Sequence, residues 1–168
     1  MIKKILVPTD FSQPSLRGLE YAVDLGRRLR ARLIVICVVE PIQYMPPSDF
    51  YGGMSMSVDL LSEQQGLAKA QLSDLAKQLK KRALQFETML STGTPYQRIV
   101  EAAKTKRVDL VVMATHGRGG VSHLLLGSVA EKVVRLAPCP VLTLRDYGRR
   151  RRKSTAAPQK RRTRSAKQ

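Results

Sequence analysis

Residues 113–128, MATHGRGGVSHLLLGS, join an apolar run to a periodic one through a glycine-rich turn, and the rest of the chain is best read outward from that junction. The preceding VDLVVM, residues 108–113, reads as a buried strand. Gly117, Gly119 and Gly120 then permit positive φ and present N–H groups to an anion with no side chain in the way. Gly127 and Ser128 stand where the spacing Val129, Val133, Leu136 begins. They open a helix whose unpaired N–H groups and positive dipole end favour phosphate. Taken alone, such a turn has a second reading, because glycine also serves ordinary tight turns. Two familiar phosphate loops are excluded. A Walker-type loop needs lysine after its last glycine, whereas Gly127-Ser128 runs on into valine, so the contact to the β- and γ-phosphates is missing. The dinucleotide fingerprint belongs after the first strand of a βαβ unit and needs a spaced acidic residue downstream, which this position does not satisfy.

The segments before the junction repeat one theme. Residues 2–7 read as a strand that ends at Pro8, Thr9 and Asp10. Ser12 then caps a helix with Pro14 in its first turn and Leu16, Leu19, Val23 and Leu29 on one face. LIVICVV, residues 33–39, is the near-continuous β-branched run of a strand covered on both faces. Residues 41–57 are rich in Pro, Gly and Met and read as a loop. A helix over 60–82, a strand over 84–90, a helix around Ile99, Val100 and Ala103, the helix over 128–136 and a last strand over 141–144 follow. Five strands alternate with four helices. That order predicts an α/β fold, a five-stranded parallel doubly wound sheet with helices on both faces, Rossmann-like in layout. Such sheets bind ligands beyond the carboxyl ends of their strands, where the strand order reverses. A cleft there would carry the Asp10 carboxylate on one wall and the phosphate donors of the glycine loop on the other.

Composition sets the limits. The chain has 168 residues, 43% hydrophobic, enough for one well-buried domain plus a tail and without an apolar run of membrane-spanning length. The opening MIKKILVPTD suits a strand better than an export signal, so a cytoplasmic location is the default expectation. Cys37 and Cys139 lack metal or disulfide spacing and read as small buried hydrophobes. Residues 1–148 hold 20 Lys and Arg against 13 Asp and Glu, while residues 149–168 hold 10 basic residues and no acid, so more than half of the net +17 lies in the tail. That tail, RRRRKSTAAPQKRRTRSAKQ, has nothing to bury and is expected to be disordered in isolation. Residues 1–146 are thus expected to form the domain and residues 147–168 a basic appendage.

The opening ILVPTDFS, the GTP segment at residues 93–95, the VMATHGRGG loop and the LLLGSVAEKVVRLAPCPVL ending resemble the universal stress protein family, in its ATP-binding branch. That branch shows a glycine, two residues, a second glycine, nine residues, then glycine with serine or threonine. Gly117, Gly127 and Ser128 match the later positions, and Ala114 stands in place of the first glycine, where its methyl group crowds a close-approaching ribose or phosphate. The resemblance implies an adenine nucleotide alpha hydrolase-like fold and a role for each matched residue. Asp10 would accept from the ribose hydroxyls, Pro8 and Thr9 would line the adenine side, and Val38 would offer its backbone to the base edge. Met113 and Ala114 would border the ribose. Gly117, Gly127, Ser128 and Val129 would donate N–H groups to the phosphates of ATP, with Mg²⁺ accompanying them. Arg118 is a further candidate for offsetting phosphate charge, or a solvated arginine. Homodimerisation through residues 141–144 is also implied.

Each site residue has a plainer reading. Asp10 also suits a helix cap. His116 and His123 have no acid or cysteine spaced to complete a metal site, and Ser128 has no adjacent base that would make it a nucleophile, so no enzymatic role is expected beyond slow ATP hydrolysis. Met45, Met54 and Met56 read as loose cover for the cleft or a partner surface, and Glu131 and Asp109 as solubilising charges. Two functions compete with ATP-regulated stress response: a dimeric scaffold with an empty cleft, and an adaptor whose tail, residues 149–168, contacts nucleic acid or another polyanion without sequence preference.

Overall fold

The computed structural model describes residues 1–41, 53–82, 84–115 and 126–145. Strands and helices alternate as β1 (Lys4–Thr9), α1 (Gln13–Leu29), β2 (Arg32–Val39), α2 (Gly53–Lys80), β3 (Phe86–Thr92), α3 (Pro95–Thr105), β4 (Leu110–Ala114), α4 (Ser128–Leu136) and β5 (Val141–Leu144). All pairings are parallel, in the order β3-β2-β1-β4-β5. The order reverses between β1 and β4.

Side-chain alternation along the strands builds two cores. Ile5 and Val7, Leu33 and Val35, and Leu110 and Val112 face α1 and α2. Leu6, Ile34, Ile36, Val111 and Met113 face α3 and α4. Both faces of the three central strands are therefore sealed, which explains their unbroken apolar runs. Ser12 caps α1, its side chain accepting from the Ser15 N–H at 3.3 Å, with proline in the first turn as the sequence predicts.

β1 and β3 run two residues, and β4 one residue, past the ends their apolar patterns suggest. β1 ends at Thr9, β3 at Thr92 and β4 at Ala114, since pairing with the neighbouring strand continues after the core-facing run has stopped. The helix expected from residue 60 begins at Gly53, inside the stretch read as loop. No proline interrupts that stretch after Pro47, so the helix extends through a segment with no apolar period. Among the described residues, no helix is long and apolar enough to cross a membrane.

Asp109 does more than solubilise an edge. Its Oδ2 accepts the N–H groups of Lys3 at 2.7 Å and Lys4 at 2.8 Å, tying the start of β1 to that of β4. These two backbone donors, Lys3 first, hold its carboxyl below the ordinary range, against a smaller desolvation effect. A depressed folded-state pKa contributes stability that is present above the unfolded value, about 3.9, and is lost as pH falls through the folded one. Asp109→Asn should therefore be less stable than the parent at neutral pH, with the gap closing as urea melts are taken below about pH 4. A gap that stays constant down to strong acid would contradict this linkage.

Candidate functional site

The β1–β4 ladder registers Ile5 with Leu110 and Leu6 with Val111 and extends no further. On either side pairing continues to the strand ends, Thr9 with Cys37 and Ala114 with Leu144. The carboxyl halves of β1 and β4 therefore part, and a gap opens at the reversal point. Pro8, half-buried in this part of β1, has no N–H to offer a ladder.

The turn after β1 is held by side chains. Thr9 is buried, and its Oγ1 lies 3.1 Å from Ser15 Oγ and accepts the Phe11 N–H at 3.1 Å. Its hydroxyl is thus committed to the turn and to α1. Asp10 Oδ1 accepts the Ser12 N–H at 3.0 Å, an Asx turn that fixes the carboxylate at the rim of the gap. Ser12, not Asp10, caps α1. Phe11 adopts left-handed backbone with φ 60°, a conformation that costs a non-glycine residue roughly 1–2 kcal/mol. Such strain concentrates at functional sites.

That turn also decides what β2 shows to the gap. Arg32 N–H donates to Lys3 on the β1 side at 2.8 Å, and Leu33 N–H to Gln85 on the β3 side at 2.9 Å. Even-numbered residues of β2 thus address β1. Val38 does so one residue beyond the last β1 partner. Phe11, whose N–H would continue the ladder onto the Val38 carbonyl, donates to Thr9 Oγ1 instead.

Across the gap stands the start of α4. Its N-cap is Gly127, with no side-chain cap hydrogen bond, and the first intrahelical bond runs from Glu131 N–H to Gly127 O at 2.9 Å. The N–H groups of Ser128, Val129 and Ala130 consequently have no intrahelical acceptor. Ser128 is exposed and Val129 half-buried. Sequence reasoning missed what pins this end. Thr115, buried past the end of β4, accepts the Gly127 N–H at 2.8 Å and donates its own N–H to Leu144 O at 3.0 Å. A lone threonine closing an apolar strand was its only trace in the sequence.

Ala114 is half-buried, and alternation places its methyl on the α1 side of the sheet, opposite Met113, which lies in the α3–α4 core. α1 reaches this point through Gly18, where an added Cβ would lie 3.4 Å from Ala114 N and 3.7 Å from Met113 C. Gly117 and Arg118 lie outside the described residues, as do His116, His123 and Met45 and the side chains of Met54 and Met56. Among the described residues no group of three or more His, Cys, Asp or Glu is placed to hold a metal. Cys139 has its thiol pushed up by burial, then by the nearby Asp109 charge, which makes it a poor nucleophile.

The sequence matches the universal stress protein family over residues 1–145. The chain belongs to that family. It is 34% identical over 147 residues to universal stress protein MJ0531 of Methanocaldococcus jannaschii, a match covering 86% of this chain and 83% of that relative. In structure, this universal stress protein is similar to UspA from Lactobacillus plantarum, with a TM-score of 0.76 at 27% identity, covering 86% of this chain and 98% of the other. A universal stress protein solved in complex with cAMP shares the fold more distantly, with a TM-score of 0.63 at 23% identity, over 86% of this chain and 97% of that one. The five-stranded parallel α/β architecture is the one these relatives have.

The close approach of α1 to β4 limits what Gly18 can become. Gly18→Ala meets only ordinary van der Waals contact and gains helix propensity, so its Tm should hold or rise. Gly18→Leu must push α1 off β4 at a cost of about 1–3 kcal/mol, read as a lowered Tm. A leucine variant as stable as the parent would show that the two backbones are not held together here.

Proposed function

We propose that this universal stress protein binds ATP in the gap between β1 and β4 as a regulatory ligand, with hydrolysis slow or absent. One observation carries the reading: the β1–β4 ladder stops at Leu6 and Val111, leaving a carboxylate at one rim and a glycine-capped helix start at the other. The donor set fits the chemistry of an adenine nucleotide. The Asp10 carboxylate accepts from ribose hydroxyls, and the Val38 carbonyl accepts from the exocyclic amine of adenine. The N–H groups of Ser128 and Val129, with the Ser128 hydroxyl, donate to phosphate oxygens under the favourable end of the α4 dipole. Met113 and Ala114 form the floor, and the α1-side placement of the Ala114 methyl keeps the departure from the family's first glycine compatible with binding. Gly117 complements the phosphate donors through its backbone. Mg²⁺ accompanies the phosphates, bound through their oxygens rather than by a protein cage. The sequence carries no Walker-type lysine after Gly127-Ser128, and the ligand is read as one that signals by occupancy rather than turnover.

Homodimerisation through β5 belongs to the same reading. β5 is the last strand of the sheet and Val141, Leu142, Thr143 and Leu144 are only half-buried, which suits an edge completed by a second copy.

Equilibrium dialysis against labelled ATP tests the site. The parent should retain nucleotide, and Asp10→Ala should weaken retention about 10- to 100-fold, the loss of hydrogen bonds to a charged acceptor. Ser128→Pro removes one N–H and the hydroxyl at the first helical position, where proline is tolerated, and should weaken binding while leaving the melt unchanged. Equal retention by all three proteins would remove the gap from the account.

A further inference from the structure

In a parallel sheet with helical crossovers every strand starts, and every helix ends, at the same pole. Here that pole faces away from the gap and is crowded with cations. The turn from α1 to β2 alone carries Arg27, Arg28, Arg30 and Arg32, and the end of α2 adds Lys80, Lys81 and Arg82. Arg82, just past α2, pairs at 2.7 Å with Glu20 in the middle of α1, and Arg27 follows two turns after Glu20 on the same stripe of α1. Arg32 is paired to Glu87 at 3.2 Å, which also receives Lys106. Arg27, Arg28, Arg30, Lys80 and Lys81 are all exposed and have no ion-pair partner among the described residues.

Helix ends favour cations through the dipole, which accounts for one or two per helix. It does not account for the density here, where like charges repel within a Debye length. Nor does it account for the backbone. Arg30 and Arg107 both hold left-handed conformation, φ 53° and 50°, just after α1 and α3. Glycine fills such positions without steric cost, yet both carry a cation. Beside the cluster lies a shallow groove of about 630 Å³ between the end of α2 and the starts of β2 and β3, with Arg32 and Lys80 on its rim.

We infer that this pole of the folded domain is a docking face for the phosphate backbone of a nucleic-acid duplex, read without sequence preference. The charge is carried at the carboxyl ends of α1 and α2, two helices packed on the sheet, and no aromatic side chain stands among the five cations to stack or read bases. Leu29, the large apolar residue beside them, is 40% exposed and too small an anchor for a bilayer. The face lies at the opposite pole from the nucleotide gap, uses no residue of 149–168, and stands whether or not ATP binds.

Anisotropy of a short labelled DNA duplex, titrated with full-length protein over a salt series, tests the face. The background protein has the 10 Lys and Arg of residues 149–168 replaced by Gln, so that the tail contributes nothing. It should still bind the duplex, with affinity falling as salt rises. Adding Arg27→Gln, Arg28→Gln, Arg30→Gln, Lys80→Gln and Lys81→Gln should weaken binding at least about tenfold and flatten the salt slope by about 0.9 for each phosphate that is no longer neutralised. Lys80→Glu with Lys81→Glu, two exposed changes at one helix end, should act in the same direction and guards against a folding defect in the larger variant. An unchanged affinity and slope in both variants, or no duplex binding by the background protein, would overturn the inference. So would loss of binding to phosphatidylserine vesicles with duplex binding intact, since that result assigns the face to a membrane.

Discussion

The separation of β1 from β4 after two registered pairs is the constraint on which the rest of the molecule depends. A continuous ladder there would bring the two strand ends together and narrow the crevice beyond them. Three local choices keep it open: a proline that cannot donate, a Thr-Asp-Phe turn that spends its hydrogen bonds on itself, and a helix that leans its glycine against the far strand. Each is small in isolation. Together they place an acceptor, a carboxylate and a helix start around one hollow without any of them belonging to the same segment of chain.

The layered core explains why such a hollow can persist. Both faces of β1, β2 and β4 are packed, with Ile5, Leu6, Val7, Leu33, Val35, Val111 and Val112 essentially inaccessible, so the sheet cannot flex shut without voids appearing in two cores at once. The polar rim is correspondingly well satisfied, with no buried side-chain nitrogen or oxygen lacking a partner among the described residues. Rigidity below and polarity above thus fall to different residues of the same strands.

Much of this was legible in the residues. The alternation of elements, the Ser12 cap, the start of α4 at Ser128 and the extent of β5 all follow from patterns that a few neighbouring residues complete by themselves. What escaped was non-local. Asp109 looks like an edge charge until β1 is seen to begin beside it, and Thr115 looks like the end of a strand until β5 and α4 both converge on it. The β1–β2 ladder stops short of Val38 because Phe11, 27 residues earlier, turns its N–H back to Thr9, a relation no periodicity expresses. Strand ends ran long for a related reason: apolar alternation reports which residues face a core, whereas pairing depends on the neighbouring strand.

Thr115 has a mechanical consequence. Its backbone receives a bond from the residue that caps the last helix and sends another to the final residue of the outermost strand. Displacement of that helix is therefore felt at the sheet's rim through two short links and no loop. The position of the helix start and the position of the outermost strand are thus set by one residue.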